Sequence, residues 1–337
     1  MSEVRAKKAL GQHFLVDLNI ARKICDALSG GVRPGTSAGE SAPADMAGNA
    51  GAGADTRVGT DGCADAGVGS LNGGGAGLAA GADARIAADT TAAGAPAAAE
   101  EERGGAVPCD VLEVGCGMGV LTQFLLERDD IDLYGAEVDG ESVEYLREHY
   151  PQFVPRLMEG DFLQMDLSAM FPGGVNVIGN FPYNISSQIF FKILASRDRV
   201  PEVVGMVQRE VALRIAGSPG GKDYGILSVF LQAFYDIEYL FTVGEGVFNP
   251  PPKVKSAVVR LVRNGVERLD CDEALFARVV KATFGQRRKT IRNSLHAAFG
   301  DLRGEEHDYF SLRPEVLSVK QFEELTRWVG ERIAEKP

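Results

Sequence analysis

Val111-Leu112-Glu113-Val114-Gly115-Cys116-Gly117-Met118-Gly119 is the segment that most clearly indicates the fold class. An apolar strand runs into three alternate glycines, and a helix is predicted to follow over residues 120–128. Glycines at such a turn let backbone N–H groups approach a ligand closely. The pattern is typical of a nucleotide site in an α/β fold, although NAD or an ordinary tight turn would explain the glycines equally well.

Two acidic residues at later strand ends narrow the class of ligand. Glu137 ends the next predicted strand, 24 residues after Glu113, and a carboxylate at this spacing can bind both hydroxyls of a ribose. Asp161 can accept a hydrogen bond from an adenine amine, while Phe162 can line the pocket for the base. Both residues therefore suit a ligand that contains adenosine.

Asn180-Phe181-Pro182-Tyr183 follows the apolar segment Val175-Asn176-Val177-Ile178-Gly179 and carries the most chemical information. The exocyclic amine of adenine is a poor nucleophile because its lone pair is delocalised into the ring. An Asn side-chain carbonyl and a backbone carbonyl beside Pro can accept the two amine hydrogens from fixed positions, and Tyr183 can stack on the base. Asn-x-Pro also forms ordinary turns, so the motif depends on the other three signals. Together, in this order, they favour S-adenosylmethionine over a dinucleotide.

The chain resembles the KsgA family of ribosomal RNA small-subunit adenine dimethyltransferases over essentially its whole length outside residues 30–106. Besides the glycine turn, Glu137 and Asp161-Phe162, the matching segments are Lys8-Ala9-Leu10-Gly11-Gln12-His13-Phe14-Leu15, Gly179-Asn180-Phe181-Pro182-Tyr183-Asn184-Ile185-Ser186, Met206-Val207-Gln208-Arg209-Glu210-Val211-Ala212, Tyr224-Gly225-Ile226-Leu227-Ser228, Phe248-Asn249-Pro250-Pro251-Pro252-Lys253-Val254 and Phe284-Gly285-Gln286-Arg287-Arg288-Lys289-Thr290.

This resemblance implies an S-adenosylmethionine-dependent enzyme that dimethylates the N6 amines of two adjacent adenosines near the 3′ end of small-subunit ribosomal RNA. We expect it to act as a monomer, without a metal, on the immature small ribosomal subunit. The resemblance assigns the methyl donor to His13, Leu15, Gly115, Gly117, Glu137, Asp161, Phe162 and Asn180. It assigns catalysis to Asn180, Pro182, Tyr183 and Phe248. Phe248 would stack on the base opposite Tyr183, although plain packing explains Phe248 equally well. Many relatives have Asn at the position of His13 and Pro at that of Cys116.

Residues 30–106 differ in composition from the rest of the 337-residue chain. They contain 19 Gly and 23 Ala in 77 positions and no Phe, Tyr, Trp or Lys. Such a segment cannot bury enough side-chain surface to offset the entropy of ordering, so we interpret it as a flexible insertion. The family normally has a short connection here, between a helix predicted over residues 18–28 and the first strand.

The formal net charge of −12 is unexpected for a protein that binds RNA. Ten acidic residues and four arginines of the insertion account for half of it. Basic residues nevertheless cluster, and a solvated surface or an RNA-binding face would explain each cluster. The candidate RNA-binding residues are Lys7, Lys8, Lys253, Lys255, Arg287, Arg288, Lys289 and Arg292.

The C-terminal region is predicted to be helical because it lacks strand alternation. One helix is expected over residues 273–299, carrying Arg287-Arg288-Lys289, and another over residues 319–334 with Ser318 as its N-cap and Gln321 three residues later. The lone Trp328 is interpreted as a core residue. The Val-rich segment 256–262 is strand-like.

The predicted fold is therefore α/β, a Rossmann-like class I S-adenosylmethionine-dependent methyltransferase sheet with a small C-terminal all-helical domain. The resemblance implies seven strands, including an antiparallel one near the C-terminal edge. The expected organisation is an N-terminal arm and first helix in residues 1–29, the insertion in residues 30–106, the catalytic domain in residues 107–265 and an RNA-binding helical domain in residues 266–337.

The five cysteines form no C-x-x-C pair, and no segment reads as a signal peptide or a membrane span. We therefore expect a cytoplasmic protein.

Two alternative functions stay open. An Erm-type enzyme that modifies large-subunit ribosomal RNA has a similar donor site and Asn-x-Pro-aromatic turn, although the Tyr224 segment and the Arg287 cluster favour the small subunit. A mainly non-catalytic ribosome assembly factor would use the same basic face. A protein-glutamine or DNA-adenine methyltransferase would not explain the C-terminal region.

Overall fold

Seven of the strands form one sheet, which the computed structural model describes within residues 4, 6–7, 10–30, 108–300 and 306–334. The strands are β1 (Phe14–Leu15), β2 (Cys109–Val114), β3 (Ile131–Glu137), β4 (Leu157–Glu159), β5 (Asn176–Asn180), β6 (Glu202–Gln208), β7 (Tyr235–Val243), β8 (Phe248–Asn249) and β9 (Ser256–Arg263). The α-helices are α1 (Leu18–Asp26), α2 (Thr122–Leu125), α3 (Gly140–His149), α4 (Leu167–Met170), α5 (Ser186–Ala195), α6 (Arg209–Ile215), α7 (Ile226–Gln232), α8 (Glu273–Gly285), α9 (Ile291–Phe299) and α10 (Val319–Ala334).

The strand order is β4-β3-β2-β5-β6-β9-β7. The first five strands are parallel, and β9 runs antiparallel to both β6 and β7. The order reverses between β2 and β5, and in such sheets ligands bind outside the carboxyl ends of the strands at this reversal. The predicted α/β fold with an antiparallel strand near the C-terminal edge is confirmed.

The central strands are apolar because the sheet is covered on both faces. Val111, Leu112, Val177 and Ile178 have no exposed surface. A second, two-stranded sheet pairs β1 with β8, so that Leu15 lies opposite Phe248. This pairing joins the N-terminal residues to a segment more than 230 residues later in the chain.

Two glycines on neighbouring strands make room for the ring of Phe181. Gly179 and Gly205 are directly paired across β5 and β6. A Cβ atom on Gly205 would lie 2.5 Å from the Phe181 ring, and one on Gly179 would lie 2.4 Å from the backbone oxygen of Val114. Phe181 is 1% exposed, and its N–H donates to the oxygen of Met206 at 3.0 Å. Packing therefore fixes the residue between Asn180 and Pro182.

Two predicted helices have different limits in the structure. The helix after the glycine turn was predicted over residues 120–128, but α2 spans only Thr122–Leu125, because the turn continues through Leu121 and the chain must turn again to enter β3. The prediction of a single helix over residues 273–299 was also wrong. It is divided into α8 and α9, and Arg287, Arg288 and Lys289 lie in the intervening turn.

The other C-terminal predictions agree with the structure. Helix α10 spans Val319–Ala334, and Ser318 and Gln321 form the expected reciprocal cap, with bonds of 2.9 and 3.3 Å. Trp328 packs edge-on against Phe310, with ring centroids 5.1 Å apart. Phe276 of helix α8 lies against Phe230 of helix α7, with ring centroids 6.2 Å apart, and the described residues belong to one compact unit. A separate RNA-binding domain from residue 266 stays a prediction.

The predicted insertion lies outside the described residues apart from Gly30. Helix α1 ends at Asp26, close to its predicted end. Within the part of the chain that the structure describes, no helix has both the length and the apolar character needed to cross a membrane.

Candidate active site

A cavity of about 320 Å³ lies at the carboxyl ends of β2, β3 and β5, where the strand order reverses. Most of the predicted donor-binding and catalytic residues line it. These are His13, Gly115, Gly117, Glu137, Asp161, Phe162, Asn180, Pro182 and Tyr183. The four sequence signals therefore meet in one place, although they are spread over about 70 residues of the chain, and His13 joins them from about 100 residues before the glycine turn.

The glycine turn forms the floor of this cavity beside β2. Gly115 and Gly117 have φ values of +77° and +54°, a region that L side chains rarely adopt. A Cβ atom on Gly117 would also come within 3.2 Å of the Phe14 ring. Gly115 N–H donates to the oxygen of Ala136 at 2.9 Å, which ties the turn to the neighbouring strand. The turn leaves space above it only because these residues carry no side chain.

The Glu137 carboxylate is fixed by three backbone N–H groups. Oε1 accepts from Val138 at 3.0 Å and from Asp139 at 2.9 Å, while Oε2 accepts from Gly117 at 2.8 Å. Glu137 is 4% exposed, and burial raises the pKa of its carboxyl group while the backbone N–H groups oppose that shift. A carboxylate has about four lone-pair sites, so one site, on Oε2, remains for a ribose hydroxyl, and the contact with the second hydroxyl stays a prediction.

The third signal lies beside β4. One Asp161 oxygen accepts from the N–H of Leu163 at 2.9 Å and begins the short 3-10 turn Phe162–Gln164. Its other oxygen accepts no hydrogen bond from the described residues and can receive an adenine amine. Phe162 is 4% exposed and supplies an apolar wall. The residues present therefore suit an adenosine.

Asn180 ends β5 with its side chain in a defined orientation. Its Nδ2 donates to the backbone oxygen of His13 at 2.9 Å, so the amide nitrogen is identified by its partner and Oδ1 is left as an acceptor. The carbonyl of Phe181, next to Pro182, accepts no hydrogen bond from the described residues. Two carbonyl oxygens are therefore available at one edge of the cavity.

Tyr183 is held at its ring and at its hydroxyl. Its Oη is hydrogen-bonded to Ser256 Oγ on β9, and burial raises the pKa of the phenol, with the Ser256 bond opposing the shift. Its ring stacks on the His13 ring, with centroids 5.3 Å apart and planes inclined by 30°. The phenol stays neutral at physiological pH and presents an aromatic face at the cavity.

His13 contacts residues that are predicted to be catalytic as well as the region expected for the donor. Its Nδ1 lies 2.9 Å from the oxygen of Pro250. A carbonyl only accepts, so Nδ1 is the protonated nitrogen. His13 thereby links the ring of Tyr183, the amide of Asn180 and the loop that precedes β9.

Leu15 and Phe248 do not line the cavity. They lie opposite each other in the β1–β8 pair and are 3% and 4% exposed. Both side chains pack in the same buried cluster, with Val243 and Val258. The structure thus places Phe248 in the core, and its stacking on a base stays a prediction.

The seven candidate RNA-binding residues that the structure describes fall into two groups. Lys7, Arg287 and Arg292 have protein partners: Lys7 pairs with Asp139 and Glu141, Arg287 donates to the oxygen of Lys222 at 2.7 Å, and Arg292 pairs with Glu306 at 3.2 Å. Lys253, Lys255, Arg288 and Lys289 are exposed and have no ion-pair partner among the described residues. Lys8 lies outside the described residues.

Sequence reasoning missed several residues that line the cavity or support it. Val138, 54% exposed, follows Glu137 at the cavity, and Gln12, Asn184 and Gln188 add polar groups to its wall. The position of Val138 directly after Glu137, the predicted ribose ligand, could have indicated it. Glu113 is 1% exposed, and burial raises its pKa to about 8. It accepts a hydrogen bond from Thr122 Oγ1 at 2.6 Å, so it connects the two ends of the glycine turn, strand β2 and helix α2.

A family model described as "Ribosomal RNA adenine dimethylase" matches residues 108–327. The chain belongs to this family. A curated relative from Porphyromonas gingivalis, named ribosomal RNA small subunit methyltransferase A, is 45% identical over 330 residues, which cover 97% of this chain and 98% of the relative. A relative of the same name from Parabacteroides distasonis is 58% identical over 217 residues, 64% of this chain and 81% of the relative.

Among solved structures, a dimethyladenosine transferase from Plasmodium falciparum has a TM-score of 0.56 and 22% identity, covering 67% of this chain and 92% of that one. At this identity the likeness supports the fold of the adenine dimethylase family and nothing finer. The alignment with the Porphyromonas gingivalis relative includes 97% of this chain, so it extends into the Gly/Ala-rich segment 30–106.

Proposed function

We propose that the protein transfers methyl groups from S-adenosylmethionine to the N6 amines of two adjacent adenosines near the 3′ end of small-subunit ribosomal RNA. Membership of the ribosomal RNA adenine dimethylase family supports the reaction class. The names of the two relatives refer to the small ribosomal subunit, which favours this substrate over the large subunit of the Erm-type alternative. The immature small subunit in the cytoplasm is the proposed substrate, and the monomer is the proposed acting form.

The orientation of Asn180 is the observation that carries the proposal. Its Nδ2 is engaged by His13, so its Oδ1 and the adjacent Phe181 carbonyl can accept the two hydrogens of an adenine amine. Acceptors that are in place before the reaction stabilise the positive charge that develops on the attacking nitrogen without reorganising. The flipped base would lie against Tyr183, whose hydroxyl is held by Ser256.

When bound, the methyl donor supplies an electrophilic sulfonium methyl group with a good leaving group. The protein would contribute position: Glu137 would hold the ribose, Asp161 would hold the adenine, and the glycine turn would leave space for the donor because it carries no side chains. Transfer of the methyl group to the adenine nitrogen would leave the donor sulfur as a neutral thioether, and the nitrogen would lose one of its hydrogens to water as a proton. For the second methylation the nitrogen has one hydrogen left, so one acceptor suffices and the other must tolerate a methyl group.

The test uses two reactions, each with the protein and labelled donor. One reaction contains immature small ribosomal subunits and the other contains large ribosomal subunits, and the modified nucleosides are then mapped in both. We expect dimethyladenosine at two adjacent positions of the small-subunit RNA. Labelling of large-subunit RNA would favour the Erm-type alternative. A strain that lacks the protein and is rescued by an Asn180→Ala variant would indicate that an assembly role coexists with catalysis.

A further inference from the structure

The N-terminal residues cross the donor cavity from one strand end to another. We use "the arm" for Lys7 and residues 10–15. Leu10, Gly11, Gln12, His13 and Phe14 all line the cavity. The arm therefore forms one wall of the site, and its contacts determine whether that wall is in place.

On the β5 side the arm is fastened by close backbone contacts. The oxygen of His13 accepts from Asn180 Nδ2 at 2.9 Å. Gly11 has a φ of +63°, and a Cβ atom on it would lie 2.5 Å from Asn184 Oδ1. The backbone of the arm therefore lies directly against the side chains of Asn180 and Asn184.

On the β3 side the fastening is ionic. Lys7 Nζ pairs with Asp139 and lies 3.1 Å from Glu141 Oε1. Gln12 Nε2 contacts the other Asp139 oxygen at 3.4 Å, and the N–H of Lys7 donates to Gln12 Oε1 at 2.8 Å. The side chain of Asp139 is 2% exposed whereas that of Glu141 is 54% exposed. A buried carboxylate needs its partner more than an exposed one does, so Asp139 is the principal anchor.

The anchor is connected to the group that would bind the ribose. The N–H of Asp139 donates to Glu137 Oε1 at 2.9 Å. Burial raises the pKa of Asp139, but hydrogen bonds from Lys7, Gln12 and Ser142 outweigh it and lower the pKa overall. The pKa of Lys7 is raised, chiefly by its hydrogen bond to Asp139. Both partners are therefore charged throughout the physiological range.

From this geometry we infer that Lys7 and Asp139 are positioning residues for the methyl donor, because their ion pair holds the arm closed over the cavity. The inference rests on the proposed function, in which this cavity takes S-adenosylmethionine. It differs from the RNA contact predicted for Lys7. The donor must be replaced after each of several methylations. An arm that is held by an ion pair on the β3 side and stays attached on the β5 side suits repeated opening of the cavity.

The experiment measures the dissociation constant of S-adenosylmethionine by calorimetry for the full chain and for three variants. Lys7→Met removes the charge and keeps most of the side chain, and we expect it to weaken donor binding about tenfold, because less of the protein has the arm closed. Lys7→Arg should restore near-normal affinity. Glu141→Gln, the matched control, should change affinity less than about twofold, since exposed ion pairs contribute little.

Two further measurements separate the explanations. Affinity for a small-subunit RNA fragment should be unchanged in Lys7→Met, and the difference in donor affinity between that variant and the wild type should shrink as salt is raised. Unchanged donor affinity in Lys7→Met, or equal loss in Lys7→Arg, would overturn the inference, and loss of RNA affinity alone would make Lys7 an RNA contact. A wild-type protein that binds no donor would instead overturn the proposed function.

Discussion

The carboxyl edge of the sheet and the turn between α8 and α9 present polar groups under different constraints. At the sheet edge, Glu137 accepts three backbone N–H bonds and Asn180 donates to a backbone oxygen. In the turn, Arg288 and Lys289 are exposed without ion-pair partners among the described residues. The first arrangement suits chemistry that needs fixed acceptors, and the second suits a phosphate backbone that can be met in many geometries.

Arg287 shows that a basic side chain can also be held by the protein, as the polar groups at the sheet edge are. It lies in the same turn, yet its guanidinium donates to the oxygen of Lys222 and lies 3.9 Å from Glu315. This side chain joins two segments of the molecule. We therefore assign a structural role to Arg287 and leave the docking role to its neighbours.

The largest effect is expected where packing supports the sheet edge. Phe181→Ala should lower the free energy of unfolding by about 3–5 kcal/mol, because it empties the space over Gly179 and Gly205. Denaturant unfolding of the variant measures this loss. Phe191→Ala is the matched control, since that ring is 41% exposed, and it should cost much less. Similar losses for both variants would contradict the role given to the glycine pair.

Donor binding tests the fixed carboxylate at the same edge. Glu137→Gln places an amide N–H₂ opposite backbone N–H groups, so we expect a loss of about 1.5–3 kcal/mol in affinity for S-adenosylmethionine. Equilibrium titration of the donor provides the measurement. If the variant bound the donor as tightly as the wild type, Glu137 would not be the ribose ligand.

The pH dependence of stability tests the buried carboxyl group below the glycine turn. Burial raises the pKa of Glu113 to about 8, so the folded protein keeps a proton that the unfolded chain loses. Between about pH 4.5 and pH 8 this group should lower stability by up to ~1.4 kcal/mol per pH unit as pH rises, with no further loss above the folded pKa. Glu113→Gln should remove this contribution. An identical pH profile for the variant and the wild type would show that Glu113 is not responsible.

The smallest effect is expected in the turn. Arg288→Gln or Lys289→Gln should each weaken RNA binding slightly and reduce the slope of log affinity against log salt by about 0.7–0.9, as expected for one lost phosphate contact. Arg287→Gln should instead act mainly on stability. If only Arg287→Gln changed the slope of log affinity against log salt, Arg287 would be the phosphate contact instead of Arg288 and Lys289.

The sheet-edge residues could be predicted because local motifs specify them. The glycine turn, Glu137, Asp161 and the Asn180 motif each follow a strand, and strands of this fold end at one edge. The internal break between α8 and α9 was missed because apolar positions continue on both sides of it. Gly285 and Thr290 were the available signals, a helix-ending glycine and a helix-starting residue.

Contacts between distant segments could not be predicted from local sequence. The burial of Phe248 follows from the pairing of β8 with β1, more than 230 residues away. The same is true of Lys7, which the sequence places in a basic cluster but which pairs with Asp139, 132 residues later. The orientation of the Asn180 amide likewise depends on the His13 oxygen from the arm.

The role of Asn180 in activating the adenine amine can be tested by a single-turnover measurement of methyl transfer to immature small subunits by an Asn180→Ala variant, with RNA affinity measured in parallel. We expect a rate reduced by about 10²–10³ or more, because the fixed acceptor for the amine is lost, with RNA affinity largely retained. Transfer at the wild-type rate would show that Asn180 does not activate the amine.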